Sequence, residues 1–560
     1  MSCPRKSIHI AGLMFALATV VSAQVGTVEN AALYQPPNVM ESVGILGSGS
    51  IFAFSSFLAI VPGLSANIIA PRMLAVLTYA APQVIATLGP FPPAASVAAT
   101  LFLRPVGSNS ATPLTVTNAV SGAITFVVPS NFPLGGAELL YQIDNQPTQW
   151  TSVNVVPSSF EFFRISPGGP AIVQVPGAEG SAGNVGLATP VQPGQTVLLT
   201  GSGLGNGSTV SATIGGVPAT VTYAGAYPAQ LGRDEVFLQV PSGVPDGCYV
   251  PVTFTYNTTT VTTTISKTSD GSPCKHSWQL SVNDMKTLDN GGTIASGVVN
   301  FSSQLNAVTS AIASRSESAN MSLSRISAGG IASYFTPAPA VSGPSCTAAT
   351  PGTVGAIAVL NGIFSVSQPV SAPPDLGSMI TLKSSTAAIP LTGEAPGGYY
   401  FSQNLPQPAD GSLNNLPTSI PGGQWTWQSS GGKDLAASSF GFTLPAPIQL
   451  NGNAPISMRR DRDQTITWNG SAFDAGAMVS IYVNGTTALV SCTAPANSGS
   501  VTIPTSLLSG YTANTIGTLT ADLNESGSFL PHAQFQLQNG STLLMIVSFS
   551  GNDSRAVAFQ

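Results

Sequence analysis

The chain has 560 residues, of which only 7% are charged, and its formal net charge is −6. That balance leaves no basic footprint for DNA or RNA. Its 58 glycines and 45 prolines cut long helices short. At about 150 residues per domain the length predicts three or four domains, and the composition predicts that they are built from short strands.

At the start of the chain, Arg5 and Lys6 precede an apolar run from Ile8 to Val21, and Val21, Ser22 and Ala23 give a small-residue cleavage pattern. This predicts a signal peptide over residues 1–23, a mature chain beginning at Gln24, and a secreted or cell-surface protein. The run is shorter than the ~18 residues that a span needs. A second apolar stretch, Val43 to Ala99, is interrupted by Pro62, Pro71, Pro82, Pro90, Pro92 and Pro93 and contains Arg72. It reads as buried strands and loops, with no membrane span after the signal.

Strand signals then follow closely. Thr115 to Thr117, Ala123 to Val128, Thr196 to Thr200, Val210 to Ile214, Ala219 to Tyr223, Val236 to Val240 and Val250 to Tyr256 are β-branched or apolar runs at short intervals. This is the spacing of a sandwich. The loop Gly201 to Gly207 lacks the Lys-Ser/Thr of a phosphate loop and precedes a strand, so it reads as a turn. Asn-Gly pairs at Asn361, Asn451, Asn469, Asn484 and Asn539 are hairpin candidates. One short helix is expected near Ser327 to Phe335, with Ser327 as its cap. Residues 121–143 and 233–256 repeat one plan: a strand, a Val-Pro break, a loop containing Gly, and a second strand.

The run VQPGQTVLLTGSGLGNGSTVSATIGGVPATVTYAGAYPAQLGRDEVFLQVPSGVPDGCYVPVTFTY resembles an uncharacterised domain family of secreted Solibacter-type acidobacterial proteins. That family in turn resembles Ig-like IPT/TIG domains. IGGVPATVTYAG and LQVPSGVPDG are the most specific strings, and the match covers residues 188–266. The resemblance implies Ig-like sandwiches in an extracellular setting, and it implies no activity.

After the signal four cysteines remain: Cys248, Cys274, Cys346 and Cys492. An even number in an oxidising compartment favours disulfides. Cys248 opens one strand and Cys274 follows the expected return strand, so these two are expected to pair near one end; Cys346 and Cys492 then pair by elimination. Only His276 and His532 remain as histidines, neither in a recognisable constellation, and no GxSxG elbow occurs. Asp375 and Asp434 each lie in a loop with Gly and are the candidates for a calcium site, with capping or turn roles as the alternative. No other cofactor is implied. Trp425 and Trp427 share one face of a strand, with Tyr399 and Tyr400 upstream. Exposed, they would stack on sugar rings; buried, they are core.

The expected fold is all-β, a set of tandem Ig-like β-sandwich domains. The divisions are 24–166, a degenerate Ig-like module; 167–267, an IPT/TIG-like module; 268–447, a larger sandwich; and 448–560, a C-terminal Ig-like sandwich. The expected function is a secreted or surface binding or structural protein without catalysis, adhesive in character. Its partner would be an extracellular polysaccharide or protein and not a nucleic acid. An extracellular carbohydrate-binding protein is the alternative, and a glycosidase using paired carboxylates is a further one.

Overall fold

The computed structural model describes residues 27–30, 68–78, 96–335, 345–349 and 374–560, apart from short breaks at 121–122, 145–147, 167–168, 177–181, 206–209, 258, 395–398, 403–408, 414–415, 417, 474–476, 486–487 and 525–529. The expected signal, most of Val43 to Ala99 and the pair at Asn361 lie outside the described residues. What is described is nearly all β: two sandwiches, followed by a larger region built on one continuous sheet.

In the first unit, a four-stranded sheet containing Leu74–Thr78 and Ala123–Val127 faces a five-stranded sheet containing Ala99–Pro105, Gly135–Ile143 and Gln149–Val155. Strand alternation fills the space between them. Ala75, Leu77, Ile124 and Phe126 meet Leu101, Leu103, Leu139, Tyr141, Val153 and Val155.

In the second unit, Val217–Ala226 pairs on one edge with Val210–Ile214 and on the other with Asp234–Gln239, bending at a bulge between Val221 and Tyr223. The two sheets enclose Val197, Leu199, Ile214, Val236, Leu238, Val252, Phe254 and Tyr256. The short strand Glu161–Phe162 pairs with Thr196–Ser202, so this sandwich begins before residue 167. The repeated plan has the same structural role in both units. Ala123–Val127 and Asp234–Gln239 each lie in one sheet, and after the Val-Pro break Gly135–Ile143 and Gly247–Tyr256 lie in the other.

These two units are held together by polar contacts. Arg72, with a left-handed φ of 65°, reaches the Gly205 carbonyl and lies 3.5 Å from the Asp234 carboxylate. The Leu74 N–H donates to Ser202 Oγ at 2.7 Å.

The remainder is organised by three long strands. Thr293–Thr309 forms an antiparallel hairpin with Ile312–Ser327 and pairs in parallel with Thr542–Phe559. Continuous sheet and one continuous core therefore cross the expected 447/448 division: Val299, Phe301, Trp425 and Leu444 share a cluster with Ile481, Cys492, Leu519 and Val547. Phe301 touches Trp425, ring centroids 5.3 Å apart, although their strands are several places apart in the sheet, so the sheet rolls over on itself. The run Thr542 to Val547 is buried on both faces, Leu543, Met545 and Val547 in this core and Leu544 and Ile546 in a second cluster behind it.

Two helices are placed by caps. Ala328–Phe335 is the expected one, with Ser327 Oγ accepting the Gly330 N–H at 3.3 Å. Val282–Asp289 is a further helix beyond the expected one; Ser281 Oγ accepts the Asp284 N–H at 3.1 Å.

Candidate functional site

Both expected disulfides are present, Cys248–Cys274 and Cys346–Cys492. Two such bonds mark a chain that folds in an oxidising compartment. Among the described residues no helix is long and apolar enough to cross a membrane.

The expected sugar platform is not built from the expected residues. Trp425 is 1% exposed and Trp427 0%. Trp425 Nε1 donates to the Pro421 carbonyl at 2.9 Å, and Trp427 packs against Phe440 and Phe535. Tyr400 is buried, its hydroxyl donating to the Gly377 carbonyl at 3.1 Å. Tyr399 lies beside it in the strand Tyr399–Ser402, its side chain outside the described residues. The outward face of Gly423–Ser429 carries Gln424, Thr426 and Gln428, so the alternation turns both tryptophans into the core, where large rings contribute most.

Asp375 and Asp434, 59 positions apart, are brought together by two loops. Asp434 Oδ2 accepts the Asp375 N–H at 2.8 Å, and the Asp375 carbonyl accepts the Asp434 N–H at 3.0 Å. Asp375 also takes the N–H groups of Gly377 and Lys433, which hold its carboxyl below the usual carboxylate range. These are the bonds of loop capping. Among the described residues no three His, Cys, Asp or Glu converge as metal ligands.

The two histidines, distant in sequence, flank one ring. Trp278 lies 6.0 Å from both His276 and His532. His276 Nδ1 accepts the Trp278 N–H at 3.1 Å, so the neutral ring carries its proton on Nε2, 3.0 Å from the Tyr249 hydroxyl. Burial, with His532 nearby, lowers the His276 pKa to about 4. Burial also pushes the Tyr249 phenol up, the Asp289 carboxylate adding to it. Phe335 stacks on Tyr249 at 5.2 Å. Beside this cluster a cavity of about 20 Å³, bordered by Gly186, Cys248, Tyr249 and Asp289, has room for about one water. The cluster locks the second sandwich to the third region and offers no space for a sugar.

One aromatic surface does face outward. In Gln149–Val155 the buried phase is Thr151, Val153 and Val155, which puts Trp150 on the outer face with Ser152 and Asn154. The register aligns Phe102 with Leu140 and Leu140 with Trp150 across three strands. Trp150 is 61% exposed and Phe102 37%, whereas Trp278, Trp425, Trp427 and Trp468 are at most 3% exposed. Along the same face Arg104 donates from Nε to Glu138 at 2.9 Å, flanking the row on one side, and Thr100 and Gln142 flank it on the other. The alternation in QWTSVNV carried the signal for Trp150, because its valines fix the inward phase.

No family model and no curated protein matches the chain. Solved structures that it is similar to include the Bacteroides ovatus mixed-linkage glucan utilization locus SGBP-B in complex with a mixed-linkage heptasaccharide, at 11% identity over 74% of this chain and 77% of that one, TM-score 0.13. A tetra-tandem repeat in the extending region of a large adhesion protein matches at 13% identity over 87% and 98%, TM-score 0.13. The I9-I11 tandem from titin matches at 8% identity over 67% and 94%, TM-score 0.13. Likenesses of that score carry no argument about function.

Proposed function

We propose that this chain is an extracellular binding and structural protein, in which disulfide-tied sandwiches hold a ligand-recognising surface and no turnover takes place. The observation that carries this reading is the unequal use of tryptophan: four of the five are packed into cores, and Trp150 alone is held out on a sheet face beside Phe102. An exposed aromatic row on a rigid sheet has a cost in solubility that a binding role explains. The disulfides support the compartment. The resemblance of residues 188–266 to the secreted Solibacter-type domain family supports the same setting.

The test is to incubate the chain and its Trp150→Ala variant with polysaccharides and extracellular proteins, measuring both retention and product release. Retention that weakens in the variant, with no product released, is the expected result. Release of sugar reducing ends, amines or acids that is abolished by changing one Asp or Glu to its amide overturns the reading.

A further inference from the structure

Resting on that reading, we propose that Phe102, Leu140 and Trp150 form the platform for a neutral polysaccharide chain lying across the strands of the first sandwich.

The geometry sets the shape of the ligand. Strands are spaced about 4.8 Å apart, so Phe102 and Trp150, with Leu140 between, lie about 10 Å apart. That separation matches roughly two linked pyranose rings. The flat C–H face of a pyranose is apolar and weakly positive, and it suits the negative face of an aromatic ring. Thr100 and Gln142 on one flank, and Ser152 and Asn154 on the other, bring hydroxyl and amide groups to the height of sugar hydroxyls.

Charge sets its class. The ionic side chains next to the row, Arg104 and Glu138, are bonded to each other, and Asp144, beyond Gln142, is turned to the Ala98 N–H at 2.9 Å. The platform therefore presents no net charge, and it favours a neutral polymer over an acidic one. Size argues against a protein partner. Even with the exposed Pro113, which the register sets beside Phe102, four apolar side chains fall far short of the ~800 Å² per partner of a standard protein interface, while a sugar chain is thin enough to be held by such a row.

The platform is also stiff. The opposite faces of the same strands supply Leu101, Leu103, Leu139, Tyr141 and Val153 to the core. Little ordering is needed when the ligand binds.

The experiment is affinity gel electrophoresis and calorimetry of the full chain with hydroxyethyl cellulose, galactomannan and soluble starch, and with polygalacturonate as the anionic probe. Trp150→Ala, Phe102→Ala and a control at the exposed Leu231, Leu231→Ala, are compared after circular dichroism has shown that each is folded. At least one neutral polymer should bind, with affinity lowered by roughly tenfold or more in the first two variants and unchanged in the control. The polymer should also protect Trp150 from acrylamide quenching. Neutral-polymer binding that survives Trp150→Ala overturns the platform while leaving a binding function. Preference for polygalacturonate, or no binding to any neutral polymer, overturns the ligand class. In that case, protection of Trp150 by a second copy at high concentration would keep the face as a binding surface.

Discussion

Gly186 lies against Asp289 so closely that a Cβ at 186 would overlap the carboxyl group. The carboxylate is fixed there because it accepts two main-chain N–H groups of the second sandwich, from Leu187 and Ala188, each at 2.8 Å. Asp289 ends the helix Val282–Asp289 of the third region, so one side chain caps a loop across the joint between the two. Gly186→Ala should displace the carboxylate and break both bonds. Hydrogen bonds to a charged group are worth about 2 kcal/mol, and a destabilisation of about 1–3 kcal/mol is expected. Asp289→Ala should cost a similar amount, and the double variant less than the sum, because both changes remove the same contact. Denaturant midpoints measure all three, and additivity would refute the coupling.

A second joint hangs on Arg555. Asp553 and Arg555 are two apart on the strand Thr542–Phe559, on the same inward face, and both are buried. Arg555 donates to Asp553 and to the carbonyls of Leu450 and Gly452, and Asp553 Oδ2 accepts the Leu450 N–H at 2.7 Å. The pair ties the segment at the expected 447/448 division to the last strand. Arg555→Met strands a buried carboxylate and should cost about 3–5 kcal/mol. It should also open the segment 449–453 to limited proteolysis. Cleavage that appears elsewhere first would show that the pair does not hold this connection.

These joints also mark what the sequence made legible. Alternation within a strand is local, so the strands, the hairpin turns at Asn484 and Asn539, the Ser327 cap and the Cys248–Cys274 bond could be read from neighbouring residues, whereas the expected hairpins at Asn451 and Asn469 are instead a loop and the start of the 3-10 helix Gly470–Ala472. The parallel pairing of Val299 with Val547 joins residues 248 positions apart, and no local pattern encodes it. For the same reason His276 and His532 looked isolated and Asp375 and Asp434 looked like separate loops. The two tryptophan readings differ in kind. The shared face of Trp425 and Trp427 was visible, and the polar Gln424, Thr426 and Gln428 opposite already pointed inward burial at them. Trp150 is equally legible, in opposite phase to Val153 and Val155.

Stability should depend on pH through His276. Its folded pKa of about 4 lies below the ordinary value of 6.5, because burial disfavours the charged ring. The unfolded chain takes up the proton first as pH falls. The stabilisation is therefore full above about pH 6.5 and is lost progressively toward pH 4, by up to roughly 3 kcal/mol. Asp234, raised to about 6 chiefly by burial, acts in the opposite sense. Its contribution is present below about pH 4 and lost as pH rises through 6. His276→Gln should remove the acid-side loss, and Asp234→Asn should remove the loss toward neutral pH. Melting temperatures from pH 4 to 7 separate them; unchanged slopes in both variants would show that neither group is linked to folding.

The last expectation concerns Cys346–Cys492. The strand Ser345–Ala349 is bonded to Leu489–Pro495 at the edge of the large sheet, with Cys346 directly opposite Cys492 in the register. Cys492 is fully buried, and Cys346 packs against the same core. The bond spans 146 positions, against 26 for Cys248–Cys274. In the chain-entropy account, closing the longer loop restricts the unfolded chain more, contributing about 5 kcal/mol against about 3.5 kcal/mol. Replacing both members of the longer pair by Ala should therefore lower the denaturant midpoint more than replacing both members of the shorter one. The two losses should also differ in kind. Cys248 and Cys274 lie beside Tyr249 and His276 at the joint between sandwiches, so their loss should expose that joint to protease before global unfolding. Loss of Cys346–Cys492 should instead free an edge strand, whose amide protons should exchange early while the joint stays protected. Hydrogen exchange on the two double variants reads both effects, and a larger midpoint loss for the Cys248–Cys274 variant would show that local packing at the joint outweighs loop closure.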